Sequence, residues 1–276
     1  MARRYGEAIV STHPPTLQCR TLFLSDIHLG TRACQAELLL DFLRNVEAEE
    51  IYLVGDIVDF WKVRRGANWP QTHNDVIQKL LRKSRKGARI VFVPGNHDDV
   101  LRDYCGSHFG GIEVVREATH VAADGRRYLV LHGDEFDLVV RNARWLAWLG
   151  DLGYEAALWC NAPLNHVRRW FGFEFWSLSA FLKARVKQAV MFVGAFEEAV
   201  AVEARRRDVD GVICGHIHTA ADRQFGDLRY LNTGDWVESC TAVAEMPNGE
   251  MRVIHWQQER VLQQVKPEPA RQLEAA

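Results

Sequence analysis

The sequence predicts an α/β fold, and three observations carry the prediction. Apolar runs of strand type, Thr21-Leu22-Phe23-Leu24, Ile51-Tyr52-Leu53-Val54 and Ile90-Val91-Phe92-Val93, alternate with segments whose apolar residues recur at helical spacing. From residue 112 onward, short strand-type runs divided by turn residues take over. Five clusters of metal-binding residue types punctuate this pattern, four of them directly after an apolar run. They are Ser25-Asp26-Ile27-His28, Gly55-Asp56-Ile57-Val58-Asp59, Gly95-Asn96-His97-Asp98, Leu131-His132-Gly133-Asp134 and Gly215-His216-Ile217-His218.

Residues 1–18, with Pro14-Pro15, read as an irregular leader. The run 21–24 is a buried strand ending at Asp26. Residues 36–46 place Leu39, Leu40, Leu43 and Val46 on one helical face. A second strand, 51–54, ends at Gly55-Asp56. Residues 73–86 are a second helix through Val76, Ile77, Leu80 and Leu81, and Pro94-Gly95 stops the third strand, 90–93. Short strands follow at 112–116, 120–123 and 128–131, with Asp124-Gly125 as the turn between the last two. The run 211–214 leads into His216. Closing strands are expected at 229–231, 241–245 and 251–256, with Pro247-Asn248-Gly249 as a hairpin turn. Residues 257–276 are polar and read as a flexible tail.

The stretch 138–195 differs from its surroundings. It holds Trp145, Trp148, Trp159, Trp170 and Trp176, five of the nine tryptophans, at helical spacing. It reads as a helical cap inserted into a core made of 19–137 and 196–256. Seven Lys or Arg (Arg141, Arg144, Arg168, Arg169, Lys183, Arg185, Lys187) face three acids (Asp151, Glu155, Glu174). That mixture suits acyl chains and phosphate, or an anionic membrane surface; the same aromatics also suit a plain subdomain core.

With 276 residues there is room for one large domain or two modest ones, and 47% hydrophobic content supplies a sizeable core. A net charge of −2 gives no basic field for nucleic acid. The six cysteines form no C-x-x-C pair, which suits a reducing compartment. Arg3 and Arg4 precede no apolar signal-peptide core, and no 18-residue uncharged apolar stretch occurs, so a cytoplasmic protein is expected. Peripheral contact with the inner membrane is the membrane-related option.

Residues i and i+2 of a strand share a side. Asp26 with His28, and His216 with His218, are therefore expected to point together as their strands run out. Asp56, Asn96 and His132 each follow a separate strand, so a sheet can gather them at one edge, where open α/β sheets place their sites. Carboxylate, imidazole and amide oxygen, with no thiolate, suit manganese, iron, zinc or cobalt. Seven ligands exceed what one ion takes. Two ions sharing Asp56, roughly 3.5–4 Å apart, is the economical arrangement, and it suits in-line displacement at phosphorus by an acidified water.

As a set, D-x-H, G-D-x-x-D, G-N-H-D, a lone His before Gly, and G-H-x-H over residues 25–218 resemble the calcineurin-like metallophosphoesterases. The resemblance implies a four-layer α/β/β/α sandwich. It implies Asp26, His28, Asp56 and His218 on one metal, and Asp56, Asn96, His132 and His216 on the other, manganese being the first expectation. It also implies that His97 assists the leaving group and that Asp59 orients His97. Gly55 to Trp61, His132 to Asp137 and Thr233 to Ser239 resemble the UDP-2,3-diacylglucosamine diphosphatase-like branch, which implies a lipid-linked nucleotide substrate cleaved to UMP and lipid X. Best-studied members of that branch carry Arg at the position of His97 and Glu at that of Asp59. A phosphodiesterase or phosphatase with another lipid or nucleotide substrate is the alternative, and a non-catalytic metal-bound membrane module a third. Arg64 and Arg65 are candidate diphosphate contacts or solvated loop residues. Asp134 and Asp235 are candidate partners of ligand histidines or turn residues.

Overall fold

A computed structural model describes residues 17–66, 69–139, 168, 170–171 and 193–265. The first sheet has seven strands. In chain order they are β1 (Leu17–Leu24), β2 (Val46–Val54), β3 (Arg89–Val93), β4 (His108–Phe109), β5 (Ile112–Val114), β11 (Thr241–Glu245) and β12 (Met251–His255), arranged spatially as β12-β11-β1-β2-β3-β5-β4. The second has β6 (Ala118–Val121), β7 (Arg127–Val130), β8 (Gly211–Cys214), β9 (Ala221–Phe225) and β10 (Leu228–Asn232), arranged as β6-β7-β8-β10-β9. Strands β1, β2, β3 and β5 run parallel, as do β7, β8 and β10.

Strict alternation along these strands builds the layers. Phe23, Tyr52, Val54, Val91 and Val93 of the first sheet meet Tyr128, Val130, Ile213 and Leu231 of the second in the inter-sheet core. The intervening residues Leu22, Leu24, Ile51, Leu53, Ile90 and Phe92 pack outward against the helices α1 (Ala36–Asn45) and α3 (Gln71–Arg85). Leu129, Val212, Cys214 and Tyr230 pack outward on the second sheet against Phe196, Val200, Ala201 and Ala204, from a chain that is helical over 193–206. The result is the four-layer α/β/β/α sandwich expected.

Several boundaries moved. The first strand opens at Leu17, inside the stretch read as leader, and the second is extended back to Val46. Strand β9 was not foreseen, because its exposed Asp222-Arg223-Gln224 carries no apolar alternation. The tail expectation for 257–276 is corrected for its first part. A helix runs over Trp256–Val265, anchored by a fully buried Trp256 whose ring meets Phe42 edge-on at 5.1 Å and whose Nε1 donates to Asp41 Oδ2 at 3.0 Å. Burying one such ring stabilises by about 1.5–3 kcal/mol, which holds a polar helix in place. The cap expectation for 138–195 lies almost wholly outside the described residues, as does the leader up to residue 16.

Candidate metal centre

The predicted ligands converge beyond the C-terminal ends of β1, β2, β3, β7 and β8. Two expectations are revised here. The ligands come from two sheets, not from one sheet edge. Asp26 and His28 also do not point together by strand alternation, since β1 has already ended at Leu24. Asp26, His28, Asp56, His216 and His218 all have φ between 50° and 72°, and among described non-glycine residues only Asp208 and Cys240 also have positive φ. Left-handed backbone costs a side-chain-bearing residue roughly 1–2 kcal/mol. Its concentration at these five positions marks turns that the surroundings hold in order to aim side chains inward.

The pairwise anchoring is consistent. Asp26 Oδ2 accepts from Ser25 Oγ at 2.5 Å and from the His216 N–H at 2.9 Å, which leaves Oδ1 inward, 3.0 Å from His218 Nε2. Asp56 Oδ1 accepts from the His97 N–H at 2.8 Å, and Oδ2 faces His132 Nε2 at 3.5 Å and His28 Nε2 at 3.8 Å. His132 Nδ1 lies 2.9 Å from the Val54 carbonyl oxygen, which accepts a hydrogen bond from it and turns Nε2 inward. His28 presents Nδ1 to Asp59 Oδ2 at 3.5 Å and brings Nε2 to 3.3 Å from His218 Nε2. The His28 and His218 ring nitrogens lie within hydrogen-bonding reach of one another, and a bound cation would take both as ligands.

The donor set fits a divalent metal. Asp56 Oδ2, Asn96 Oδ1 and His132 Nε2 are buried with no hydrogen-bond partner, and Asp26 Oδ1 faces the His218 ring. Buried polar atoms are paired as a rule, and metal-type donors gathered at one point are what a cation would satisfy. Ligand atoms of Asp26, His28 and His218 lie within 4.8 Å of one another, as do those of Asp56, His132 and His216 and those of His28, Asp59 and His97. Electrostatics agree. Burial alone would raise the Asp26 carboxyl, but His218, His132 and His28 outweigh it and hold the group well below the usual carboxylate range. Asp56 is lowered against its burial by His132, and His132 is pushed up to about 10 against its own burial by Asp56. This pocket selects positive charge.

Supporting residues that the sequence reading gave no role are now visible. Asp98 is fully buried and accepts from the N–H groups of Gly95 (2.6 Å), Ile57 (2.8 Å), Asp56 (3.3 Å) and Val58 (3.3 Å), tying the β2 loop to the β3 loop. Gly95 has to lack a side chain, because a Cβ there would overlap Asp56 Oδ1 and the His132 ring. Ser25 also meets Thr233 Oγ1 at 2.5 Å, linking the Asp26 turn to the loop after β10. Asp235 is mainly a turn residue, accepting from the N–H groups of Val237, Glu238 and Ser239, with His218 Nδ1 3.9 Å away. Asp134 pairs with Arg102 at 2.6 Å. His97 is drawn to the centre, Nδ1 3.0 Å from Asp59 Oδ2 and Nε2 3.9 Å from Asp56 Oδ2. Arg64 and Arg65 are exposed on the turn closing the short helix α2 (Phe60–Val63).

Comparison with known proteins agrees with this geometry. A family profile described as calcineurin-like phosphoesterase matches residues 19–220. A UDP-2,3-diacylglucosamine hydrolase of Aliivibrio fischeri is 30% identical over 142 residues, 46% of this chain and 57% of that protein. Longer alignments reach the hydrolases of the same name from Aeromonas hydrophila (26% over 249 residues, 84% of this chain and 97% of that protein) and Porphyromonas gingivalis (27% over 259 residues, 80% and 92%). In its first matches the chain spans little more than half of the relative's length, 57% and 59%. With a matched profile spanning most of its length and a metal-selecting pocket at the motif residues, the chain belongs to the calcineurin-like phosphoesterase family.

Proposed function

We propose that the chain is a two-metal hydrolase of a phosphoester or diphosphate bond, acting on UDP-2,3-diacylglucosamine or a closely similar nucleotide-linked lipid and releasing UMP and lipid X. The observation that carries the chemistry is the convergence of buried donor atoms of Asp26, Asp56 and His132 with neighbouring histidines, beside a buried and unpartnered Asn96 Oδ1. Asp26, His28, Asp56 and His218 would hold one ion, and Asp56, Asn96, His132 and His216 the other, with Asp56 shared. Manganese is the proposed metal, and iron, zinc and cobalt suit the same donors. When bound, the ions supply positive charge to the phosphoryl oxygens and acidify the attacking water.

The remaining steps belong to the protein's own groups. His97 presents Nε2 toward the centre and keeps a proton there for the departing oxygen, while Asp59 at Nδ1 fixes the ring and offsets its charge. Asp59 also accepts the Lys62 N–H at 2.8 Å, so its carboxylate is itself anchored. Arg64 and Arg65 are the proposed diphosphate contacts. The cationic, aromatic stretch 138–195 is the proposed acyl-chain cover and membrane-facing element of a cytoplasmic protein. Among the described residues no helix is long and apolar enough to cross a membrane.

A second reading draws on His97 and Asp59 themselves. Their pairing at 3.0 Å replaces the Arg and Glu of the best-studied branch and favours the same chemistry on another lipid or nucleotide substrate. Incubation of the manganese-loaded protein with UDP-2,3-diacylglucosamine decides between them. UMP release far above the rate on a generic aryl phosphodiester supports the first. Turnover of the aryl ester with no such preference supports the second. Turnover of neither, with any of the four metals, overturns both.

A further inference from the structure

Beyond Asp56, whose Oδ1 accepts the His97 N–H, four groups hold the His97 ring and its backbone. Asp59 Oδ2 lies 3.0 Å from Nδ1, and the Phe60 N–H donates to the His97 carbonyl oxygen at 3.0 Å. The His28 ring meets it edge-on, centroids 4.7 Å apart at 87°. The Trp61 indole covers it, centroids 4.0 Å apart and 33° from parallel. Asp59, Phe60 and Trp61 are consecutive, at the start of α2, whose first turn Asp59 caps through the Lys62 N–H. One short turn therefore grips one imidazole at a nitrogen, at the backbone and on a ring face.

We propose that Trp61 is a positioning residue for His97, closing one ring face so that Nε2 stays aimed at the centre; this rests on the reading of His97 as the proton donor. A ring tethered only through Nδ1 can swing about that tether and carry Nε2 through an arc. His28 and Trp61 remove this freedom, and of the two only His28 is also a candidate metal ligand. Trp61 is the one large apolar side chain of the turn left 46% exposed, a placement that serves the neighbouring ring and not the core. An indole gains from such stacking in either protonation state of the imidazole, by about 0.5–1.5 kcal/mol, enough to select one ring orientation.

The test uses the full chain and a small aryl phosphodiester that carries no acyl chain. Trp61→Ala is expected to lower kcat by about 10-fold, since a misplacement near 1 Å can cost up to about 10²-fold, with KM and metal content unchanged and Trp61→Phe restoring the rate. In a His97→Ala background, Trp61→Ala is expected to add no further loss. An independent readout is proton NMR of the histidine rings in the zinc-loaded protein, whose centre is diamagnetic. The His97 signal, identified by its disappearance in His97→Ala, should shift when the indole and its ring current are removed. An unchanged kcat in Trp61→Ala, an equal loss in both backgrounds, or an unmoved His97 signal would each overturn the proposal. If His97→Ala is itself without effect, the proton-donor reading fails, while the NMR shift still reports whether Trp61 sets the ring.

Discussion

Asp98 has no candidate metal to bind, yet replacing it should damage the centre more than replacing most surface acids. Its carboxylate accepts two short backbone bonds, from Gly95 at 2.6 Å and Ile57 at 2.8 Å, and two longer ones at 3.3 Å from Asp56 and Val58. Asp98→Ala strands these donors in a dry interior, and each orphaned short-bond donor costs about 1–3 kcal/mol. Part is recovered, because burial and then the neighbouring Asp56 push Asp98 up to about 6, so the ionised group is held at some expense. A net destabilisation of about 3 kcal/mol follows, which lowers Tm by roughly 6–12 °C at about 2–4 °C per kcal/mol. The loops that place Asp56 and Asn96 lose their common tie, so metal content should fall as well. Calorimetry and elemental analysis on the same gel-filtered sample read both effects. Asp98→Asn, which keeps an acceptor oxygen but turns an amide toward an N–H, should fall between. A Tm within about 1 °C of wild type together with undiminished metal would refute the reasoning.

Other perturbations have distinct signatures. Gly95→Ala should abolish turnover and reduce metal content, because its Cβ would overlap Asp56 Oδ1 and the His132 ring; normal metal and rate would show that the loop has room to give. His97→Ala should keep its metal while slowing an aryl phosphodiester by about 10²-fold or more, and an unchanged rate removes His97 from the reaction. His73 accepts the Gly30 N–H on Nδ1 at 3.0 Å, and burial lowers its pKa from the ordinary 6.5. Its contribution is therefore fully present above pH 6.5 and is lost as pH falls from there through the lowered folded value, by up to about 1.4 kcal/mol per pH unit. Urea midpoints at pH 7.5 and 5.5 should differ less in His73→Asn than in wild type; an equal difference assigns the pH dependence elsewhere.

The metal-binding clusters were legible because four of them directly follow an apolar run and all five bring Asp, Asn or His together at metal-ligand spacing. The α/β rhythm was legible from apolar runs alternating with helical spacing, and the four-layer sandwich from the family resemblance; that the neighbours Leu22 and Phe23 serve different cores is visible only in the structure. What the sequence hid was long-range or conformational. Left-handed backbone at Asp26, His28, Asp56, His216 and His218 carries only a weak residue-type signal, since glycine is the usual marker of positive φ and Asp and His are merely enriched there. Ser25 with Thr233, and Asp98 with Ile57, join positions 208 and 41 residues apart. The helix over Trp256–Val265 was missed because its polar composition says nothing of Trp256, whose indole is anchored by Phe42 and Asp41 across the first sheet. Trp61 was visible only as part of a motif, and its stack on His97 became a feature once α2 was folded.

The central claim is that Asp56 is shared by two ions that perform the hydrolysis. Metal content and aryl phosphodiester turnover, measured together on wild type and Asp56→Ala, test it most directly. The account predicts about two divalent ions per chain in the wild type, and in the variant a loss of metal accompanied by a loss of turnover. An Asp56→Ala protein that retained both ions and a wild-type rate would contradict it.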